Sequence, residues 1–194
     1  MPRPTLCVYC GSRLGSSPAF AQVAALVGSE IGRRGWNLVY GGGRSGLMGV
    51  VADAALAAGA RVVGIIPQSL MQREVGHEGL SELRVVQTMH ERKLMMAQQS
   101  DAFLALPGGI GTFEELFEVW SWRQLGYHDK PLGLLNVQNY YDAFGSMMQS
   151  AEAHGFVTPA QHTLLDIDTD PVRLLDTLGA RMPQATAADD YRRI

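Results

Sequence analysis

The sequence predicts an α/β fold in which a doubly wound, mostly parallel sheet is flanked by helices. Short apolar runs alternate with amphipathic stretches along almost the whole chain of 194 residues. The apolar runs are nearly continuous, as expected of strands that are covered on both faces. Strands that alternate with helices in this way favour parallel pairing through right-handed crossovers.

The apolar runs predict strands at Leu6–Cys10, Asn37–Tyr40, Arg61–Ile66, Leu83–Gln87, Ala102–Leu106 and Pro131–Asn136, with a later short run at Thr163–Asp168. The stretches between them predict helices at Ala19–Arg34, Leu47–Ala58, His90–Gln99, Phe113–Gln124, Tyr140–His154 and Pro171–Gly179. Asp170 is the expected N-cap of the last helix, with Pro171 at its first position. Residues 1–180 are therefore expected to form one Rossmann-like domain, and the polar residues 181–194 a flexible tail.

Composition excludes several classes of protein. Hydrophobic residues make up 46% and charged residues 18%, which predicts a substantial buried core. A net charge of −3 argues against a broad nucleic-acid-binding face, although a local pocket can still hold a small anion. No apolar run approaches the roughly 18–20 residues of a membrane span, and the start lacks a signal-peptide core. We expect a cytoplasmic protein that binds neither nucleic acid nor membrane.

The two cysteines, Cys7 and Cys10, form a C-x-x-C pair. In isolation this spacing fits a redox pair or half of a zinc site. Here it lies within an apolar run that reads as a strand, and no second cysteine pair completes a four-sulfur site. Ordinary packing within a buried strand is therefore favoured over a metal or redox role.

Glycine is over-represented, with 22 residues, or about 11% against a usual value of roughly 7%. One cluster, Gly41–Gly49, follows a predicted strand and opens a helix. Glycines there allow a tight turn, and a helix N-terminus presents free N–H groups to an anion. The spacing also matches the dinucleotide fingerprint, but the next strand ends at Ile66-Pro67 without the acidic residue that would hold a ribose. The alternative to a ligand-binding loop is a tight turn with only a structural role.

The second cluster is Pro107-Gly108-Gly109-Ile110-Gly111-Thr112, again between a strand and a helix. Its glycines can form a concave nest of N–H donors for a phosphate. Thr112 is the expected N-cap, and Glu115 three residues later completes a capping box. The functional alternative is that the Glu115 carboxylate faces the ligand whose phosphate lies on the loop.

Two further segments follow predicted strands. Met89-His90-Glu91-Arg92-Lys93 opens a helix, so Arg92 could reach the same crevice and grip a phosphate or a carboxylate. The stretch from Pro67 to Glu82 lacks a helical period and contains Arg73, Glu74, His77 and Glu78. Such a long connection at the carboxyl end of a strand is either a ligand-binding loop or a solvated surface excursion.

At these residues the sequence resembles the LONELY GUY family of cytokinin riboside 5′-monophosphate phosphoribohydrolases, which are often labelled lysine decarboxylases. The resemblance is carried by Gly41-Gly42-Gly43-x-x-Gly46-Leu47-Met48-Gly49, by Met89-His90-x-Arg92-Lys93 and by Pro107-Gly108-Gly109-x-Gly111-Thr112-x-x-Glu115. It extends from about Leu6 to about His154, and the last of these strings is the most specific.

The resemblance implies hydrolysis of the N-glycosidic bond of a purine nucleoside 5′-monophosphate, releasing the base and ribose 5-phosphate. It implies Arg92 and Glu115 as the catalytic pair. It implies substrate binding by Glu74, Lys93, Gly108, Gly109, Ile110, Gly111, Thr112, Ser121, Gly42, Gly43, Gly46 and Met89. The resemblance implies no metal and no cofactor.

Two rival functions remain open from the residues alone. A pyridoxal-phosphate decarboxylase needs a Schiff-base lysine, and only Lys93 and Lys130 exist. A non-catalytic nucleotide-binding module would use the glycine loops but would not need Arg92 and Glu115. The apolar helix Phe113–Gln124 suggests a homodimer, because its aromatic and aliphatic residues surround most of its circumference. The sequence does not distinguish adenine from N6-modified adenine.

Overall fold

The computed structural model describes residues 3–71, 75–185 and 189–191. Its sheet contains β1 (Thr5–Tyr9), β2 (Asn37–Tyr40), β3 (Val62–Pro67), β4 (Glu82–Val86), β5 (Ala102–Ala105), β6 (Leu132–Leu135) and β7 (Leu165–Asp168). The strands lie in the order β4-β3-β2-β1-β5-β6-β7, and every neighbouring pair is parallel. The predicted doubly wound, Rossmann-like α/β fold is therefore confirmed.

Helices connect the strands. They are α1 (Pro18–Arg33), α2 (Gly46–Ala57), α3 (Met89–Gln98), α4 (Ile110–Gln124), α5 (Asp142–Ala153), α6 (Pro159–His162) and α7 (Pro171–Arg181), with single 3₁₀ turns at Gln68–Leu70, Val137–Asn139 and Met182–Gln184. The Asp170 side chain caps α7 by accepting the Arg173 N–H, as predicted. The short α6 was not predicted, because its four residues are fewer than a periodic pattern needs.

The core has two layers, one on each face of the sheet. Helices α1, α2 and α7 cover one face, with Ile31, Val51 and Leu175 fully buried. Helices α3, α4 and α5 cover the other, where Met96 and Leu116 are buried. The two-layer packing explains why the strands read as continuous apolar runs. Among the described residues, none of the helices is long and apolar enough to cross a membrane.

The chain reverses its direction of winding at β1. From β1 it moves outward through β2, β3 and β4, and it then returns to place β5 on the other side of β1. The carboxyl ends of β1 and β5 therefore lie side by side, and the Gly11 N–H donates to the Pro107 carbonyl between them. In open α/β sheets this switch point is where ligands bind.

One expectation about a helix end differs from the structure, and the flexible tail stays a prediction. Helix α4 begins at Ile110 with Gly109 as its N-cap, so Thr112 is the third helical residue and the predicted Thr112–Glu115 capping box is wrong. The helix starts early because Gly109 adopts the extended cap conformation itself. Beyond α7, Tyr191 is buried, with its hydroxyl within hydrogen-bonding distance of Lys130 Nζ.

Cys7 and Cys10 are both free and buried in the sheet region. Burial raises the pKa of the Cys7 thiol to about 12 and also raises the pKa of Cys10. Both are therefore protonated at neutral pH and inert as nucleophiles or metal ligands. Within the described ranges no cluster of side chains suited to a metal ion is found.

Candidate active site

A cavity of about 610 Å³ opens at the switch point between β1 and β5. It is bounded by the β1–α1 loop, the first residues of α2, the side chain of Arg92 and the start of α4. The residues that line it are Cys10, Gly11, Ser12, Arg13, Leu14, Gly15, Phe20, Leu47, Met48, Arg92, Pro107, Gly108, Gly109, Ile110, Gly111, Thr112, Glu115 and Tyr140. The predicted catalytic pair and the second glycine cluster therefore share one cavity.

Arg92 is buried on the first turn of α3, where a capping box formed by Thr88 and Glu91 fixes the helix start. Its Nε donates to the Ile65 carbonyl at 3.1 Å, and its Nη2 donates to the Gly41 carbonyl at 3.3 Å. Backbone carbonyls at the end of β2 and within β3 thus bind the Nε and Nη2 atoms of the guanidinium. These two hydrogen bonds fix the orientation of the guanidinium group before any ligand binds.

Glu115 lies on the second turn of α4 and is only 9% exposed. Its Oε1 lies 3.6 Å from Arg92 Nη1. A carboxylate that is this buried needs a charged partner, and Arg92 supplies one. The pair is close enough for electrostatic attraction, and both groups line the cavity, where they can meet a substrate.

The start of α4 presents backbone N–H groups to the same cavity. The Phe113 N–H is the first to bond within the turn, to the Gly109 carbonyl at 3.1 Å. The preceding N–H groups, from Gly109 to Thr112, precede the helical hydrogen-bond ladder and are available to an anion. A side chain added at Gly109 or Gly111 would point into open space, so a ligand can approach the backbone closely there.

The first glycine cluster packs against protein. Gly42, Gly43 and Gly46 lie outside the cavity lining. Gly46 has a φ of +62°, and a Cβ there would lie 2.3 Å from the backbone N of Arg13. The Leu47 N–H donates to the Gly11 carbonyl, so the start of α2 supports the β1–α1 loop. A substrate role for these three glycines stays a prediction, and close packing is the role that their geometry explains.

Three other predicted site residues, Lys93, Met89 and Ser121, lie outside the cavity lining. Lys93 Nζ bonds the carboxylates of Glu114 at 2.5 Å and Glu118 at 2.9 Å. Met89 touches Arg92 through its sulfur at 3.9 Å, and Ser121 is exposed further along α4. These three are not among the lining residues, and Glu74 lies outside the described residues.

Within the 67–82 stretch, His77 is buried and its ring bonds Asp53 at 2.8 Å. Its Nδ1 accepts the Gly79 N–H, so Nε2 carries the proton that is donated to Asp53. The His77 backbone N–H also donates to the Gly42 carbonyl. His77 therefore anchors this stretch to the first glycine cluster.

Sequence reasoning missed the β1–α1 loop, together with Phe20 and Tyr140. Gly11 follows a predicted strand directly, which is a signal, but its importance depends on β1 lying beside β5. Tyr140 follows a single 3₁₀ turn and reaches the cavity through its bond to the Gly108 carbonyl. Neither position belongs to a local motif, so strand order was needed to find them.

The cavity combines one buried cation, one buried carboxylate and a helix N-terminus. Neither Lys93 nor Lys130 lines it. Lys130 is buried elsewhere, where its Nζ bonds the Ala97 carbonyl and pairs with Asp189 at 2.6 Å. The chemistry that the cavity offers is anion binding beside a carboxylate that can stabilise positive charge or orient water.

Comparisons with solved structures agree with the fold. A molybdenum cofactor binding protein from Rippkaea orientalis matches with a TM-score of 0.71 and 21% identity, covering 93% of this chain and 98% of that chain. The molybdenum cofactor carrier protein of Chlamydomonas reinhardtii matches with a TM-score of 0.70 and 18% identity, covering 94% of this chain and 99% of that chain. At these identities the likeness extends to the fold alone.

Comparisons of sequence are more specific. The family model described as "Possible lysine decarboxylase" matches residues 48–178. The cytokinin riboside 5′-monophosphate phosphoribohydrolase LOG of Oryza sativa is 53% identical over 152 residues, covering 78% of this chain and 63% of that protein. The enzyme LOG1 of Arabidopsis thaliana is 48% identical over 161 residues, covering 82% and 76%. The probable enzyme LOGL6 of Oryza sativa is 46% identical over 179 residues, covering 92% and 72%. With these matches and with Arg92 and Glu115 in one cavity, the chain belongs to the LONELY GUY family of cytokinin riboside 5′-monophosphate phosphoribohydrolases.

Proposed function

We propose that this chain hydrolyses the N-glycosidic bond of a purine nucleoside 5′-monophosphate, with adenine or an N6-modified, cytokinin-type adenine as the base. The products are the free base and ribose 5-phosphate. The observation that carries the proposal is the buried Arg92–Glu115 pair in the cavity into which α4 presents its N-terminus. The activity named for the similar plant proteins supports the same reaction.

The reaction passes through positive charge on the sugar. As the C1′–N9 bond breaks, its electron pair leaves with the purine, and C1′ acquires oxocarbenium character. The Glu115 carboxylate stabilises that charge and takes a proton from the water whose oxygen bonds to C1′. The purine takes up one proton as it leaves, so the sum is one water consumed for each bond cleaved. Arg92, whose Nη1 lies 3.6 Å from Glu115 Oε1, helps to hold that carboxylate in place.

The 5′-phosphate supplies binding energy away from the reacting bond. The N–H groups from Gly109 to Thr112 and the partial positive charge of the α4 N-terminus form its site. Arg13 adds a cation to the cavity lining, and no ion pair of Arg13 is found within the described ranges. A phosphate fixed there orients the ribose so that C1′ faces Glu115.

Release of adenine from AMP, followed by chromatography, tests the proposal. Glu115→Gln keeps the shape and removes the charge, and we expect turnover to fall by at least about 100-fold. Arg92→Ala should have a loss of similar size. Glu114→Gln is the matched control, because Glu114 precedes Glu115 on α4 but is 49% exposed and pairs with Lys93. Turnover that survives in both the Glu115 and Arg92 variants would remove these residues from the catalytic assignment.

The second candidate is a non-catalytic nucleotide-binding module. It is favoured if AMP and N6-prenylated AMP bind and neither releases its base. Comparing release from these two nucleotides also determines which base is preferred.

A cytoplasmic location stays a prediction.

We also propose a homodimer formed through α4. Most apolar residues of this helix are already buried within the chain, including Leu116, Val119 and Trp120. Phe117 remains 38% exposed beside an apolar groove, and Ile167 on the rim of that groove is 52% exposed. Phe117→Glu should halve the mass measured by sedimentation. A wild-type mass near 21.1 kDa at micromolar concentration would contradict the dimer.

A further inference from the structure

The turn between β6 and α5 has an unusual backbone. Gln138 and Asn139 have φ values of 50° and 59°, although neither is glycine. Such left-handed residues are uncommon, and they persist only where surrounding contacts enforce them. Asn136 supplies these contacts, since its Oδ1 accepts the Tyr141 N–H at 2.8 Å and its Nδ2 donates to Asp142 at 2.7 Å.

The turn places two adjacent tyrosines against the second glycine loop. The Tyr141 hydroxyl donates to the Leu106 carbonyl at 2.7 Å, and its ring is buried in the core. The Tyr140 hydroxyl donates to the Gly108 carbonyl. The Tyr140 ring is 40% exposed and meets Phe20 edge-on, with ring centroids 5.9 Å apart. The strained turn thus braces the loop at two carbonyls that are two residues apart.

The hydrogen bond from Tyr140 to the Gly108 carbonyl also fixes the direction of the Gly109 N–H. In a trans peptide the carbonyl of one residue and the N–H of the next point in opposite directions. Tyr140 holds the Gly108 carbonyl on its own side, so the Gly109 N–H is turned away from Tyr140. Gly109 is the N-cap of α4, where the helix offers its free N–H groups to the cavity.

We propose that Tyr140 is a positioning residue that fixes the Gly108–Gly109 peptide so that the Gly109 N–H binds the 5′-phosphate of the substrate. Tyr140 acts through that peptide and takes no part in bond cleavage. The proposal rests on the proposed function for the identity of the ligand. It extends that function by assigning phosphate affinity to a residue outside the glycine motif.

Tyr140→Phe tests the proposal, because it removes the hydroxyl and keeps the ring against Phe20. We expect the dissociation constant of ribose 5-phosphate and the KM for AMP to rise about five- to tenfold, as for one lost hydrogen bond. The inhibition constant of free adenine and kcat should change less than about twofold by the same reasoning. The amide ¹⁵N resonance of Gly109 in the ligand-free protein should also shift.

Tyr127→Phe is the matched control, because Tyr127 lies just beyond the opposite end of α4. It should leave all five measurements unchanged. Equal weakening of adenine and ribose 5-phosphate in Tyr140→Phe would overturn the proposal, as would an unmoved Gly109 resonance. If wild-type protein releases no base from AMP, the proposed function fails, yet ribose 5-phosphate binding still decides the role of Tyr140.

Discussion

Gly41→Ala is expected to disable the enzyme by displacing Arg92. Gly41 follows β2, and its carbonyl accepts the Arg92 Nη2 hydrogen bond. A Cβ at Gly41 would lie 1.9 Å from Nη2 and 3.1 Å from Cζ of Arg92. Since the guanidinium is buried and held on its other side by the Ile65 carbonyl, it has to leave its site to make room.

The magnitude follows from the contacts that are lost. The displaced side chain gives up its bonds to Gly41 and Ile65, and hydrogen bonds to charged groups contribute roughly 1.5–3 kcal/mol each. With partial compensation by water, we expect the free energy of unfolding to fall by about 3 kcal/mol. The Arg92 guanidinium moves away from Glu115 at the same time, so release of adenine from AMP should fall by at least about 100-fold.

Urea unfolding and adenine release, measured in a double-mutant cycle, test this reasoning. Without Arg92, the nearest neighbour of the added Cβ is Met48 Sδ at 3.4 Å, an ordinary contact. Adding Gly41→Ala to Arg92→Ala should therefore cost less than about 0.5 kcal/mol. Gly145→Ala, a helical position with open space around it, is the control and should be neutral or stabilising. An equal cost of Gly41→Ala in both backgrounds would refute the reasoning.

Three further outcomes are expected. Gly111→Ala adds a methyl group in open space on the first turn of α4, so it should raise the melting temperature. The same methyl group should raise the KM for AMP, because it occupies the space proposed for the phosphate. An unchanged KM would place the phosphate elsewhere. Burial lowers the pKa of His128 to about 4. The His128 Nε2 donates to the Val119 carbonyl, and its Nδ1 accepts the Lys130 N–H. Protonation of Nδ1 therefore breaks the hydrogen bond from Lys130. Because the folded pKa is lower than the unfolded one, this stability is present above about pH 6.5 and is lost as the pH falls toward 4. Unfolding in urea should cost about 2 kcal/mol less at pH 5 than at pH 7, and His128→Gln should lose that slope. Lys130→Met removes the ion pair with Asp189 and should lower the free energy of unfolding by about 2 kcal/mol. It should also make the C-terminal segment easier for a protease to cleave. Unchanged resistance to the protease would contradict the idea that Lys130 anchors this segment.

Local pattern was sufficient for the elements of the fold. The prediction for β2 gives the same residues as the structure, and α2 and α3 each differ by one residue at either end. These elements are set by apolar periodicity and by caps that lie within a few residues of one another. Arg92 and Glu115 line one cavity because both follow the carboxyl ends of strands of one parallel sheet, and their catalytic roles stay a prediction.

The parts that escaped prediction depend on contacts between distant segments. Thr112 looks like an N-cap by composition, but Gly109 takes that role because the preceding loop is held by Gly11 and Tyr140. The packing of Gly46 against the backbone of Arg13 was not foreseen either, while its substrate role stays a prediction. Each of these partners is more than 25 residues away in the sequence, so no local pattern could identify it.

Arg92 shows why the site needs this particular sheet order. Helix α3 follows the edge strand β4, whereas α4 follows the central strand β5, so β3, β2 and β1 lie between the two strands. Arg92 spans the gap by meeting the end of β3 at Ile65, the end of β2 at Gly41 and the α4 residue Glu115. A guanidinium has separate donors for three such directions in one plane, whereas an ammonium is a point charge on a flexible stem. The pairing of Glu115 with Arg92 therefore depends on how two strand ends and the start of α4 converge, and an arginine is the side chain whose three nitrogens can contact all three.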